Sequence, residues 1–192
     1  MSTTSRSQDT RARLLAAARA EFAAHGMSGA RVDRIAHSAG VNKERIYGHF
    51  GSKENLFAAV VAEALGDHAA SVGPPSGDLG EYAGRMFDFH LRHPELTRLM
   101  MWEALHYGGR ALPDEDHRTD AYAGKAAALA EATGGTLDAP AAATFLTLVG
   151  IAVWPLAFPQ MTRLILGTAS ADPADLRAHV VATARALGDG GR

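Results

Sequence analysis

The chain has 192 residues, 47% of them hydrophobic, and a formal net charge of −2. That composition excludes a disordered chain, and the absence of cysteine excludes disulfide and thiolate chemistry while suiting a reducing cytoplasm. The small net charge hides an asymmetry: residues 1–60 carry nine Lys or Arg against five acids, whereas the remaining 132 residues carry ten against sixteen. A basic N-terminal third on an acidic body implies that the first part is the one that meets a polyanion.

Helical periodicity runs through almost every segment and no stretch reads as a strand, so the predicted class is all-α. The opening, "MSTTSRSQDTRARLL", has arginines but no apolar core ahead of a small-residue cleavage site, and is not read as a secretory signal. Residues 8–24 place Leu14, Leu15, Ala18 and Phe22 at helical spacing, and Gly26 ends that helix. Residues 31–39 then place Val32, Ile35, Ala36 and Ala39 at i, i+3, i+4 and i+7. Gly40 makes a turn, Asn42 caps a short third helix to Phe50, and Gly51 stops it. Ser52 caps a fourth helix whose first turn holds Glu54, where the helix dipole favours an acid. Its pattern runs to about Leu65, and Gly73, Pro74, Pro75 and Gly77 mark a boundary loop. Further helices are predicted near 78–92, 94–107, 115–133, 140–154, 159–166 and 173–187, with Pro94, Pro140 and Pro173 at or near helix starts. The expected organisation is a small domain at 8–51, a connecting helix at 52–72 and a larger bundle at 78–188.

A short helix, a glycine turn and a second short helix are the ingredients of a helix-turn-helix. On the second helix Ile46 and Phe50 share a face and, with Val41, can pack on Ile35 and Ala36. The opposite face presents Glu44, Arg45 and Gly48, flanked by Lys43, Tyr47 and His49. Arginine can bond the edge of guanine, glutamate can accept from the cytosine amino group, and glycine permits close approach. The flanking residues suit phosphate oxygens, as do Lys53 and the backbone amides after Ser52.

Residues 8–60, with the run "IAHSAGVNKERIYGHFGSKENL", resemble the DNA-binding domain of the TetR family of bacterial transcriptional regulators. The resemblance implies a homodimer, a C-terminal ligand-binding bundle, and repression of double-stranded operator DNA relieved by a small-molecule effector. It places the DNA contacts on Arg34, then on Asn42, Lys43, Glu44, Arg45, Tyr47 and His49, and on Lys53 beyond them. The sequence departs from the family pattern at Arg31, where a capping threonine is common, at Glu44, often glycine, and at Gly48, often bulky. Arg31 is counted among the DNA contacts as an additional cation.

In the larger part, Met86, Phe89 and His90, then Leu99, Met100 and Glu103, then Tyr122, Phe145 and Trp154 are the candidate lining of a mostly apolar effector cavity. The alternative for each is plain core packing, and Glu103 reads equally as a hydrogen-bonded core group or a stem at the surface. His90 with His93, and Glu103 with His106, have i, i+3 spacing, but no full ligand set accompanies them, so no metal, cofactor or catalytic residue is assigned. Neither GxGxxG nor GxxxxGK[ST] occurs. Ala139 to Thr162 carries no charge, yet Pro140, Pro155 and Pro159 leave an unbroken helix only from Ala141 to Trp154. That is about 21 Å, short of a hydrocarbon core of about 30 Å, so the segment is read as a central or intersubunit helix and not a membrane span. The leading expectation is a dimeric repressor on a near-palindromic operator, released by a mostly hydrophobic small molecule. The competing readings are a DNA-binding regulator with no such inducer and, more remotely, an all-α enzyme using the bundle's His and Glu groups.

Overall fold

A computed structural model describes residues 3–167 and 172–189. Among these residues there are ten helices and no strand: α1 (Thr3–Gly29), α2 (Val32–Ala39), α3 (Lys43–Phe50), α4 (Lys53–Val72), α5 (Leu79–Arg92), α6 (Pro94–Tyr107), α7 (Glu115–Ala132), α8 (Ala139–Ala157), α9 (Pro159–Leu166) and α10 (Pro173–Asp189). The chain divides into two compact units, one running up to Asp67 and including Arg98–Pro113, the other comprising His68–Thr97 and the chain from Asp114 onward. The division falls inside α4 and inside α6. Periodicity along the sequence puts neither break there.

The first unit is built on the apolar stripe of α1. Leu14, Leu15, Ala18 and Phe22 are fully or almost fully buried, together with Ile35 from α2, Ile46 from α3, and Leu56, Phe57, Val60 and Val61 from α4. Phe22 and Phe57 meet edge to face at 5.1 Å, and each large side chain so buried contributes about 1.5–3 kcal/mol. Gly26 breaks α1 as expected, at φ 65° and ψ −179°, a conformation all but closed to other residues, and the chain turns helical again to Gly29. The Trp102 ring lies so close that a Cβ on Gly26 would come within 2.6 Å of it, and its Nε1 donates to the Ala23 carbonyl at 3.4 Å.

In the second unit α5 is central, packing against α8 and α10, while α7 packs on α8. Gly80 and Gly84, one turn apart on α5, let α10 approach closely: a Cβ on Gly80 would sit 2.7 Å from the Val181 carbonyl oxygen. Ion pairs of 2.7 Å, Asp78 with Arg185 and Asp88 with Arg177, flank this contact.

Two expectations need correction. The fourth helix continues past Leu65 to Val72, and the uncharged helix continues through Pro155 to Ala157. A proline inside a helix removes one donor; the Pro155 carbonyl, which lies four residues before Pro159 and can take no N–H from it, accepts the Thr162 hydroxyl at 2.9 Å instead. The helix is thereby long and apolar enough to cross a membrane, and only 17% of it is buried in the single chain. Leu146 and Trp154 are 72% and 51% exposed. A central helix would be covered, and α8 is not.

Replacing Gly80 by alanine should push α10 off α5 and cost about 1–3 kcal/mol in chemical denaturation. Gly66→Ala, at an exposed position of α4 where a Cβ meets nothing within 4 Å, should instead be neutral or stabilising by up to about 1 kcal/mol.

Candidate nucleic-acid interface

The start of α2 is built around a residue that cannot cap it. Arg31 occupies the N-cap with extended backbone and no side-chain cap bond. Glu21 of α1 holds this start in place: its Oε1 accepts the Arg31 backbone N–H at 2.8 Å and the Arg34 Nε at 2.8 Å, and the Arg34 Nη2 as well. Arg34 also donates to the Gly29 carbonyl at 3.1 Å. Partial burial pushes the Glu21 carboxyl upward, but the Arg34 hydrogen bond, the Arg31 N–H and the Arg34 charge outweigh it and hold the group below its ordinary value.

The turn follows from Gly40, at φ 65° and ψ 37°, where a side chain would be strained. The Val41 N–H reaches back to the Ala36 carbonyl at 3.0 Å, and the Arg13 guanidinium takes the Ala39 carbonyl at 3.1 Å, so the end of α2 is closed by backbone and by α1. Asn42 then caps α3 by accepting the Arg45 N–H at 3.2 Å. Ile46 is fully buried and anchors the helix, while Phe50 lies half-buried beneath the Arg11 guanidinium. Ser52 caps α4 through the Asn55 N–H at 3.0 Å, and the Asn55 side chain donates to the Phe50 carbonyl at 3.0 Å, tying the two helices at their junction.

This scaffold exposes Arg31, Arg34, Asn42, Lys43, Glu44, Arg45 and Tyr47, with His49 and Lys53 half-buried. The side chains of Glu44, Arg45 and Lys53 make no hydrogen bond or ion pair among the described residues, so they are available to a partner. A Cβ on Gly48 would meet nothing, so that stretch of α3 is open to close approach. Lys43 is paired with Asp33 at 3.0 Å, and Arg34 is committed to Glu21, so these two cations come to a polyanion already partly neutralised. Glu21 and Arg13 were missed by the sequence reading. Neither carries a local signal, because each acts on a helix other than its own.

The nine residues expected to line a cavity are split: Leu99, Met100 and Glu103 belong to the first unit, and Met86, Phe89, His90, Tyr122, Phe145 and Trp154 to the second. Within the second, Met86, Phe89, His90 and Phe145 are buried, while Tyr122 and Trp154 are 40% and 51% exposed. His90 Nδ1 lies 2.8 Å from the Thr97 hydroxyl, and its ring is 5.2 Å from that of buried His68. Burial pushes both histidines down to about 4, helped at His68 by the charges of His90 and Lys125 and at His90 by that of His93. Burial also pushes the Tyr82 phenol up to about 12.

Residues 14–60 match the sequence family described as bacterial regulatory proteins of the tetR family, and residues 78–186 match the tetracyclin repressor-like C-terminal domain. The chain is 42% identical over 183 residues to the HTH-type transcriptional repressor SCO4008 of Streptomyces coelicolor, covering 94% of this chain and 95% of that protein. It is 32% identical over 116 residues to the HTH-type transcriptional repressor NicS of Pseudomonas putida, covering 57% of this chain and 55% of that one. Among solved structures, SCO4942 of Streptomyces coelicolor superposes with a TM-score of 0.78 at 32% identity, over 93% of this chain and 97% of its own.

Glu21 supplies a pH test of the scaffold. Its carboxyl is lower in the folded chain than the ordinary 4.5, so its contribution is complete above that value and is lost as pH falls through the lowered one. Glu21→Gln should therefore destabilise the protein at pH 7, and the gap to the parent should narrow as denaturation is repeated below about pH 4.5. A gap independent of pH would show that the charge of Glu21 is not what holds α2.

Proposed function

This chain belongs to the TetR family and is a DNA-binding transcriptional regulator, and we propose that it is a dimeric repressor that leaves its operator when a mostly apolar small molecule binds. The observation that carries the DNA-reading part is the exposed face of α3, where Glu44, Arg45 and Tyr47 stand clear of the scaffold beside the open edge at Gly48. In this reading Glu44 and Arg45 reach base edges in the major groove. Tyr47, His49 and Lys53 position the protein on phosphates, with Lys53 at the N-terminus of α4, where backbone N–H groups add to its charge.

The dimer reading rests on α8. An apolar groove between α8 and α10, lined by Gly150, Ile151, Trp154, Leu176 and Val180 among others, is open on the single chain. A second copy laying its own α8 and α10 there would cover what one chain leaves bare. A two-fold pair of α3 helices then asks for a near-palindromic operator, its half-sites about 34–36 Å apart or a multiple of that. Release by effector requires only that the ligand prefer the conformation that fits DNA less well. A hundredfold loss of affinity corresponds to about 2.7 kcal/mol of coupling. The effector is assigned to the second unit, and α4, which contributes residues to both units, is the segment through which its binding is felt at α3.

Selection of genomic fragments on the immobilised protein should enrich an inverted repeat. On that DNA, Lys53→Ala should weaken binding to all sequences alike and lower the salt dependence by about one contact, while Arg45→Ala should relax preference at one base position. If both variants bind the selected DNA as the parent does at fixed salt, α3 is not docked this way.

Light scattering at micromolar protein should give twice the chain mass of 20.2 kDa. Replacing Ile151 by glutamate on the apolar groove should shift the mass toward that of one chain. A parent protein that scatters as a single chain would remove α8 and α10 as the interface.

A further inference from the structure

Three basic side chains of the helix-turn-helix region are held by carboxylates of the same chain. Arg13 meets Asp9 at 3.2 Å, Arg34 meets Glu21, and the Lys43 ammonium lies 3.0 Å from Asp33. In the first two pairs one member also builds the fold: Arg13 closes the end of α2 through the Ala39 carbonyl, and Glu21 takes the Arg31 N–H. Asp33 and Lys43 have no such second task. Their side chains are 75% and 45% exposed, and among the described residues each is the other's only hydrogen-bond or ion-pair partner. The turn between their helices is already set by Gly40, by the Val41 N–H on the Ala36 carbonyl and by buried Ile46. An exposed pair of this kind adds little to stability. What it changes is the charge that α3 offers, because Lys43 is the first residue of that helix, two before Arg45.

We infer that Asp33 is a built-in competitor with DNA: it occupies Lys43 in the free protein, so that DNA of any sequence gains less from Lys43 than from an unpaired cation on the same face. This rests on the reading of α3 as the helix that faces DNA. A lysine that meets a phosphate releases a condensed counterion, and that release drives sequence-independent binding. Lys43 can meet a phosphate by leaving Asp33, which then stands as a bare negative charge beside another. It can instead keep Asp33 and arrive with its own charge partly cancelled. Either way the carboxylate subtracts from the attraction. Salt does not remove the effect, since the screening length of about 8 Å at physiological ionic strength exceeds the 3.0 Å separation. Arg45 and Lys53 carry no acid and meet phosphates or bases without this competition. Asp33 also lies in the first turn of α2, where an acid suits the positive end of the helix. That role alone predicts that losing the charge loosens α2 and weakens DNA binding, whereas competition predicts the opposite sign.

Anisotropy of a labelled duplex of random sequence, long enough to hold two half-sites, is read on the full-length protein across a series of sodium chloride concentrations. Asp33→Asn should tighten binding about threefold at about 0.1 M salt and steepen the salt dependence by about one contact. Lys43→Ala should weaken binding, and adding Asp33→Asn to it should recover less than about 1.5-fold. The inference is overturned if Asp33→Asn weakens binding or leaves it unchanged. It is overturned equally if the gain is as large with Lys43 absent, since Asp33 would then act through overall charge alone. Lys53→Ala on the same duplex keeps this apart from the docking reading. If Lys53→Ala weakens binding while Asp33→Asn does nothing, the docking stands and the competitor falls. If Lys53→Ala is silent while Asp33→Asn tightens binding through Lys43, the competitor stands and the phosphate contact at α4 falls.

Discussion

Glu21 gives a single carboxylate oxygen to the backbone N–H of Arg31 and to the guanidinium of Arg34, and the DNA-reading half of the protein depends on that arrangement. Helix α2 begins at a residue whose side chain makes no cap bond, and Glu21 accepts that residue's own backbone N–H. Together with the Arg34 guanidinium on the same oxygen, this bond joins α1 to the start of α2. With α2 held at its start by Glu21 and at its end by Arg13, the Gly40 turn aims α3 in one direction. The bonds that hold this frame come chiefly from charged groups, and the side chains left unpaired on α3 are those that a nucleic acid can take up.

The second unit is organised on a different principle. Close approach of α5 and α10 at Gly80 and Gly84 removes side chains where other helix pairs would interlock them, and the flanking ion pairs fix the register. Small residues at the contact bring dispersion between backbones into play, while the buried side chains of Tyr82 and Met86 stand on the other side of α5. Buried His68, His90 and Tyr82 are all neutral at physiological pH because burial makes their charged forms expensive. Polar groups left without partners lower the stability of the protein.

The helix-turn-helix was largely legible in the sequence because its determinants are local. The i, i+3, i+4, i+7 stripe of α2, the left-handed Gly40, and the caps at Asn42 and Ser52 all act within a span of eight residues or fewer, and each is found where the sequence places it. The all-α class and the helix starts at Pro94, Pro140 and Pro173 are legible for the same reason. The uncharged composition of α8 was equally plain, but its length was not. A proline was read as a terminus because it forfeits a hydrogen bond, yet the helix runs two residues past Pro155, whose carbonyl takes the Thr162 hydroxyl from α9.

Long-range partners had no signature in the sequence. Glu21 and Arg34 stand 13 residues apart and Asp78 and Arg185 stand 107 apart, and nothing in either spacing singles these pairs out. Gly26 read as a helix stop, and the Trp102 ring packed against it adds to what its backbone conformation already requires, while the close approach of α10 at Gly80 leaves no mark in the sequence. The sequence by itself determined the helices, the turn and the chemistry of the exposed face of α3, since these follow from backbone hydrogen bonds and from periodicity within a few residues. Which cations are already spent, which glycines are irreplaceable and which buried polar atoms go unpaired was decided only by tertiary packing, because each depends on what a distant part of the chain brings into contact.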